Sequence, residues 1–205
     1  MKKATGYVEK GWLLGLVVAP VVALALFLGF GGSDSVPPVN AGSGDPIYMK
    51  IEGIDGEATD RGHEKEIDVL SWSWGMSQSG AGHVGGGAGA GKVNVHDLSL
   101  TKHVDKSSPD LMLACASGKH FPKIELTMRK PGGEAAQDYL KYTFENVHCS
   151  SYQVGGSSND PIPTESISMN FTKVLVEYQE QKPDGSLGEP EQAGWDFEKN
   201  KAQAS

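Results

Sequence analysis

The sequence predicts a mainly β protein, a small antiparallel barrel or sandwich with one short α-helix, preceded by a transmembrane helix. Three observations support this class. Apolar and polar residues alternate through most of the chain after residue 46, one short segment near residue 110 has helix start and stop signals, and an uncharged apolar run stands near the N-terminus. Alternation with a period of two is typical of half-buried strands, and no second helical segment separates them, which favours antiparallel pairing.

The N-terminal region predicts a membrane anchor. Residues 11–30, GWLLGLVVAPVVALALFLGF, carry no charge and follow a basic segment, residues 1–10. At about 1.5 Å per residue this run spans a hydrocarbon layer of about 30 Å. The lysines before it favour a cytoplasmic N-terminus, with the domain beyond the inner membrane. A cleaved signal peptide ending near Ala41 is the alternative, although such a peptide has a shorter apolar core.

The remaining boundaries follow from composition. Residues 31–45 are rich in Gly, Ser and Pro without apolar periodicity, which is typical of a linker. The folded domain is predicted over residues 46–197, and residues 198–205 form a polar tail.

Strands are predicted wherever alternate positions are apolar. The segment KIELTMRK, residues 123–130, is the clearest, with Ile124, Leu126 and Met128 facing inward. The same alternation recurs in four other segments: Ile47, Met49, Ile51; Leu70, Trp72, Trp74, Met76; Leu140, Tyr142, Phe144; and Ile167, Met169, Phe171. At residues 96–97 and 172–173 the apolar residues switch from odd to even positions, which we call a parity change. Each parity change indicates either a bulge or a strand with different neighbours on its two halves. Bent strands of this kind favour a barrel.

One helix is predicted in SSPDLMLACASGK, residues 107–119. Ser107 or Ser108 is the expected N-cap, Pro109 fits the first turn, and Gly118 ends the helix. The residues expected to pack against the sheet are Leu111, Met112, Cys115 and Leu113.

Composition excludes several classes of function. The net charge of -8 argues against a nucleic-acid partner, because phosphate binding needs a basic surface. Cys115 and Cys149 are best interpreted as two buried free thiols, with a single disulfide as the alternative. The six histidines lack metal-ligand spacing and no nucleophile has a readable His–acid partnership, so we predict no metal site, no cofactor and no catalysis.

The glycine run SGAGHVGGGAGAGK, residues 79–92, contains both G-x-G-x-x-G and G-x-x-x-x-G-K. A phosphate-binding loop needs a helix after it and Ser or Thr after the lysine, whereas Val93 and an alternating strand follow Lys92. The run therefore predicts a long loop between two strands that is used for interaction rather than for nucleotide binding.

Three segments together resemble a known family. HEKEIDVLSWSWGMSQSG, GKVNVHDLSLTKHVDKSSPDLMLACASGKHFPKIELTMRKPGG and FTKVLVEYQEQKPDGSLG are similar to the haemolysin-coregulated proteins, the tube subunits of type VI secretion, from about Ile47 to Trp195. The resemblance implies a small β-barrel that forms homohexameric rings stacked into a tube. It also implies a contractile sheath around the tube, a spike protein at its tip, effector proteins in its lumen, and a cytoplasmic protein that is then secreted.

The resemblance also implies roles for particular residues. Ser71 and Ser73 are candidates for the lumen wall. The ring-stacking loop would run from Ser77 to Lys92 and include Gly80, Gly82, His83, Gly85, Gly86, Gly87, Gly89 and Gly91. Residues 1–46 depart from the family pattern, so a membrane-tethered ring that carries secreted cargo is the alternative function.

Overall fold

The computed structural model describes residues 45–78, 92–130 and 136–203. Twelve strands and one helix, α1 (Ser108–Ser117), are formed there. The strands are β1 (Ile47–Ile51), β2 (Ile67–Asp68), β3 (Ser71–Ser73), β4 (Met76–Ser77), β5 (Asn94–Val95), β6 (Leu98–His103), β7 (His120–Lys130), β8 (Gln137–Gly155), β9 (Thr164–Asn170), β10 (Lys173–Tyr178), β11 (Glu191–Asp196) and β12 (Lys201–Ala202).

The predicted mainly β class with one short helix is confirmed. Within the described ranges no helix has the length and apolar character needed to cross a membrane. The predicted anchor, residues 11–30, lies outside the described residues. At the other end of the chain, β12 lies within the segment predicted as a polar tail, residues 198–205.

In the described part of the chain all strand pairs are antiparallel, and ten strands share one sheet. One branch runs in the order β12-β11-β10-β8-β7-β1-β2, and a second branch leaves β8 through β9 and β6 to β3. β4 and β5 form a separate two-stranded ribbon. Between β2 and β3, Val69 donates a backbone hydrogen bond to Ile47 and Leu70 donates one to Thr101, so this short segment contacts both branches. Antiparallel sheets are therefore confirmed, whereas the pairing order does not give the closed barrel that was predicted.

β8 connects the two branches because it is 19 residues long. Its first half pairs with β7 and β10, and its second half pairs with β9. The register with β9 shifts between Cys149 and Ser151, which leaves Ser150 as an extra residue. Such a bulge bends a strand, so β8 can serve different neighbours along its length.

The two parity changes mark strand ends. β5 ends at Val95 and β6 begins at Leu98, while β9 ends at Asn170 and β10 begins at Lys173. At the first break, among the described residues, β5 pairs only with β4 whereas β6 pairs with β3 and β9. At the second break, β9 pairs with β6 and the second half of β8, whereas β10 pairs with β11 and the first half of β8. The interpretation as different neighbours is therefore nearer to the structure than a bulge within one strand.

The inward positions of β7 and β9 are as predicted. Ile124, Leu126 and Met128 are at most 3% exposed, and Ile167 and Met169 are equally buried. These residues belong to a single core cluster that both branches of the sheet contribute to.

The predicted apolar face of residues 70–76 is only partly buried. Trp72 and Trp74 pack against the core, and the ring of Trp74 lies edge-on to Phe144. Leu70 and Met76 are 48% and 57% exposed, so their predicted burial is wrong. Leu70 precedes β3 and Met76 lies in β4, so both stand outside the ladder that β3 forms with β6.

The helix starts and stops as predicted, but its buried face differs. Gly118 ends it in the left-handed conformation with φ of 66°. Leu111 and Ala114 face the core, as expected for residues three apart on one helix face. Met112 and Leu113 are more than half exposed, so the prediction that they pack on the sheet is wrong.

The two cysteines form a disulfide, Cys115–Cys149, with their Cα atoms 4.8 Å apart. The preferred interpretation as free thiols is therefore wrong. α1 packs along β8, which brings together two residues that are 34 positions apart in the chain.

Candidate functional surface

Ser71 and Ser73 lie on the outer face of β3, opposite to Trp72, and both are exposed. In the ladder with β6, Ser71 stands opposite Thr101 and Ser73 stands opposite Ser99. The two predicted lumen residues therefore belong to a larger sheet surface.

That surface continues across four strands. Ser99 stands opposite Ser168 of β9, which stands opposite Ser151 of β8. A second row lies two residues along each strand and consists of Ser71, Thr101, Ser166 and Gln153. We call these side chains the hydroxyl face: Ser71, Ser73, Ser99, Thr101, Ser151, Gln153, Ser166 and Ser168.

The hydroxyl face contains no charged side chain. Strands lie about 4.8 Å apart, so each row extends about 14 Å across the sheet. The hydroxyl oxygens of Ser99 and Ser168 are 3.2 Å apart, close enough to hydrogen-bond across the two strands. The alternation in LSLTKH and TESISMN puts the hydroxyl residues of β6 and β9 on the outer side of their strands. Which strands pair with each other is not visible in the sequence, so the sequence could not show that these residues share one surface with Ser71 and Ser73.

One carboxylate borders the hydroxyl face. Asp97 precedes β6, and its oxygens accept hydrogen bonds from Asn170, at 2.9 Å, and from Ser150. This carboxylate is therefore engaged in joining three strand segments rather than presented to a ligand.

A second outer surface has the opposite chemistry. On β7, the first half of β8 and β10, Glu125 accepts from Lys123 at 2.8 Å and pairs with Lys141 at 3.2 Å, while Lys173 pairs with Glu145 at 2.7 Å. We call these five residues the charged face. Partial burial opposes ionisation of Glu125, but the hydrogen bonds from the two lysines lower its pKa. The domain thus has one charged and one uncharged outer sheet surface.

A buried ionic cluster underlies the hydroxyl face on the core side of the same strands. Lys102 of β6 and Glu165 of β9 are both fully buried, and their charged atoms are 3.0 Å apart. The Lys102 ammonium also donates to Asp105 at 2.8 Å and to Ser108 at 3.2 Å, which joins the start of α1 to the sheet. Tyr152 donates to Glu165, and burial together with this hydrogen bond raises the pKa of Tyr152 to about 12.

Of the predicted ring-stacking loop, Ser77 is described and lies in β4; Gly80, Gly82, His83, Gly85, Gly86, Gly87, Gly89 and Gly91 lie outside the described residues. Ser77 stands opposite Asn94 of β5, so the glycine run joins the two strands of an antiparallel ribbon. Lys92 is exposed and is followed by β5. The helix start that a nucleotide-binding lysine requires is thus not formed there.

A second cluster fixes the loop before β2. His63 is buried, with Nδ1 2.7 Å from Glu66 and Nε2 3.0 Å from Asp138, and its ring stacks on Tyr48 at 4.3 Å. Arg129 bridges Asp138 to Asp60. Partial burial opposes ionisation of Asp60, but hydrogen bonds from Tyr48 and Arg129 lower its pKa. His63 therefore serves as an anchor for this loop.

The described part of the chain contains no group of three or more His, Cys, Asp or Glu placed to hold a metal ion. Two histidines do meet, however. His120 of β7 stands opposite His148 of β8, with their ring centroids 5.3 Å apart. They are 28 positions apart in the chain, a separation at which the sequence gives no sign that they meet.

Comparison with known proteins agrees with this architecture. The family model described as "Type VI secretion system effector, Hcp" matches residues 48–178. Protein hcp1 of Pseudomonas aeruginosa is 56% identical over 155 residues, which cover 75% of this chain and 96% of the relative. The similar solved structures include two from other bacteria. The crystal structure of Hcp1 from Salmonella typhimurium has a TM-score of 0.65 at 38% identity and covers 78% of this chain and 99% of its own. The crystal structure of a type VI secretion system effector from Yersinia pestis has a TM-score of 0.60 at 31% identity, covering 73% and 98%.

These matches define a class of secretion-system proteins with a mainly β domain. The chain belongs to the Hcp family of type VI secretion. The resemblance deduced from the sequence is confirmed.

Proposed function

We propose that this chain is a structural subunit of the type VI secretion tube, which assembles into hexameric rings that stack and carry effector proteins. The observation that carries the proposal is the family match over residues 48–178, together with the fold shared with Hcp1 from Salmonella typhimurium. Contacts with a contractile sheath and a spike protein, which the family resemblance implies, belong to the same proposal. The role is structural rather than catalytic. A membrane-tethered carrier is not favoured by any feature of the described residues.

Ring formation requires that one surface of a subunit meets a different surface of the next, so that the rotation closes. Size-exclusion chromatography with light scattering of the purified full-length chain tests this directly. We expect the mass of six chains. A monomer that persists at high protein concentration would contradict the proposal.

The hydroxyl face supports the assignment of Ser71 and Ser73 to the lumen wall. A lumen wall contacts cargo proteins of different net charge. Uncharged hydroxyl side chains suit it, because they do not repel cargo of either charge and their desolvation on contact costs less than that of a charged side chain. The hydroxyl face has this chemistry, whereas the charged face carries fixed ion pairs.

A matched pair of variants tests this orientation. Thr101 of the hydroxyl face and Thr143, which stands opposite Glu125 on the charged face, are both partly exposed in mid-strand positions. We expect Thr101→Lys to change the amount and the mean charge of proteins that co-purify with the rings, as measured by mass spectrometry, and Thr143→Lys to leave both unchanged. If both variants behave alike while their rings remain intact, the lumen assignment is wrong.

The glycine run is proposed as the segment that contacts a neighbouring ring. Support comes from its position between β4 and β5, a ribbon that pairs with no other strand among the described residues. Deletion of residues 80–89 should leave rings intact but prevent their stacking, as seen by electron microscopy. Stacks that persist after the deletion would show that the loop has another role.

A further inference from the structure

His120 and His148 form an isolated pair of imidazoles on the outside of the β7–β8 ladder. They stand directly opposite each other, His120 exposed and His148 partly exposed, while the neighbouring pair Phe121 and Val147 faces the core. Their ring centroids are 5.3 Å apart and the ring planes are inclined by 36°. No hydrogen bond or ion pair of either ring is found among the described residues, so neither imidazole is committed to the fold.

We propose that His120 and His148 are the protein ligands of a site for a borderline transition-metal ion, of the Zn²⁺, Ni²⁺ or Cu²⁺ class. Imidazole nitrogen is a preferred ligand of these ions and a poor ligand of Mg²⁺ or Ca²⁺. Two imidazoles that bind one tetrahedral metal ion at about 2.1 Å have ring centroids about 5 Å apart. The observed separation of 5.3 Å is therefore compatible with both rings binding one ion. Water completes the coordination.

The position of the pair gives metal binding a structural effect. Pro122 and Asn146 stand opposite each other in this ladder without pairing, because proline has no backbone N–H, and Asn146 has a φ of 52°. His120 and His148 lie beyond this interruption, at the end of the ladder next to Cys149. A metal ion held by both rings would fasten the two strands where the backbone ladder is weakest. Cys149 does not compete for the metal, because its sulfur is bonded to Cys115.

The metal ions alone are the probes in the test, with full-length protein under non-reducing conditions. Calorimetric titration with Ni²⁺ and with Zn²⁺ should each show one saturable site per chain, and Mg²⁺ should show none. His120→Gln and His148→Gln should each weaken binding at least tenfold. His103→Gln, an exposed strand histidine outside the pair, is the matched control and should bind as the wild type does.

A spectroscopic measurement separates ligation from a structural role. The electron paramagnetic resonance spectrum of bound Cu²⁺ should show coupling to two imidazole nitrogens in the wild type and to one in each single variant. The proposal is overturned if no saturable Ni²⁺ or Zn²⁺ binding occurs, or if either variant binds as tightly as the wild type. Neither outcome depends on ring formation, so the proposed tube function is tested separately.

Discussion

Reduction of the Cys115–Cys149 disulfide should destabilise the domain strongly without unfolding it at room temperature. The bond joins α1 to the bulged part of β8, where Cys149 is 8% exposed. Breaking it frees the helix from its covalent link, but Leu111 and Ala114 still pack into the core. The effect should therefore appear as lower stability rather than loss of the fold.

The magnitude follows from the length of chain that the bond closes. The two cysteines are 34 positions apart. In the chain-entropy description, a loop of this length lowers the entropy of the unfolded state enough to contribute about 4 kcal/mol to the free energy of unfolding. For a domain of this size, that loss corresponds to a fall of roughly 8–15 °C in Tm.

The assay is thermal unfolding followed by circular dichroism, with and without a thiol reductant, together with a thiol titration that confirms reduction. The double variant Cys115→Ala/Cys149→Ala is the control, since its Tm should not respond to reductant. If the thiol titration shows two free cysteines per chain and the Tm of the wild type is unchanged, the link between α1 and β8 does not stabilise the domain and the reasoning is wrong.

Three further perturbations test the interior and the charges around it. Lys102→Met should lower the free energy of unfolding in urea by about 3–5 kcal/mol, because Glu165 stays buried without its cation. The double variant that also carries Glu165→Leu should lose less stability than this single variant. A Cβ at Gly56 would lie 2.2 Å from a backbone carbonyl oxygen, so Gly56→Ala should destabilise by at least about 1–3 kcal/mol; at Gly75 a Cβ meets no atom, and Gly75→Ala should stay within about 0.5 kcal/mol of the wild type. Partial burial, and then nearby carboxylates, raise the pKa of Asp68. The Asp68 carboxyl therefore binds a proton more tightly in the folded than in the unfolded protein, and the free energy of unfolding falls as pH rises past about 4. Asp68→Asn should therefore raise the Tm at pH 7 and give no gain below about pH 4, and an unchanged Tm at pH 7 would contradict this sign.

Local patterns predicted the elements of this fold better than their arrangement. Alternation placed Ile124, Leu126 and Met128 in the core, and Gly118 marked the end of α1, because both signals depend on neighbours within a few residues. The burial of Met112 and Leu113 was predicted wrongly, since their apolar character does not reveal which helix face the sheet covers.

The hydroxyl face, too, was only partly predictable from the sequence. Ser71 and Ser73 were singled out through a family resemblance, but their membership of an uncharged surface depends on Thr101, Ser99 and the strands beyond them. Register between strands that are distant in the chain is decided by the packing of both faces, which no short segment encodes.

The sequence by itself determined the β class, the short helix α1, the strand flanks that exclude a nucleotide loop at Lys92, and the family. Tertiary structure alone decided which distant residues meet: Cys115 with Cys149, Lys102 with Glu165, and His120 with His148. The physical reason is range. Propensity and periodicity act over a few residues, whereas these three contacts arise only when α1 packs on β8, β6 pairs with β9, and β7 pairs with β8.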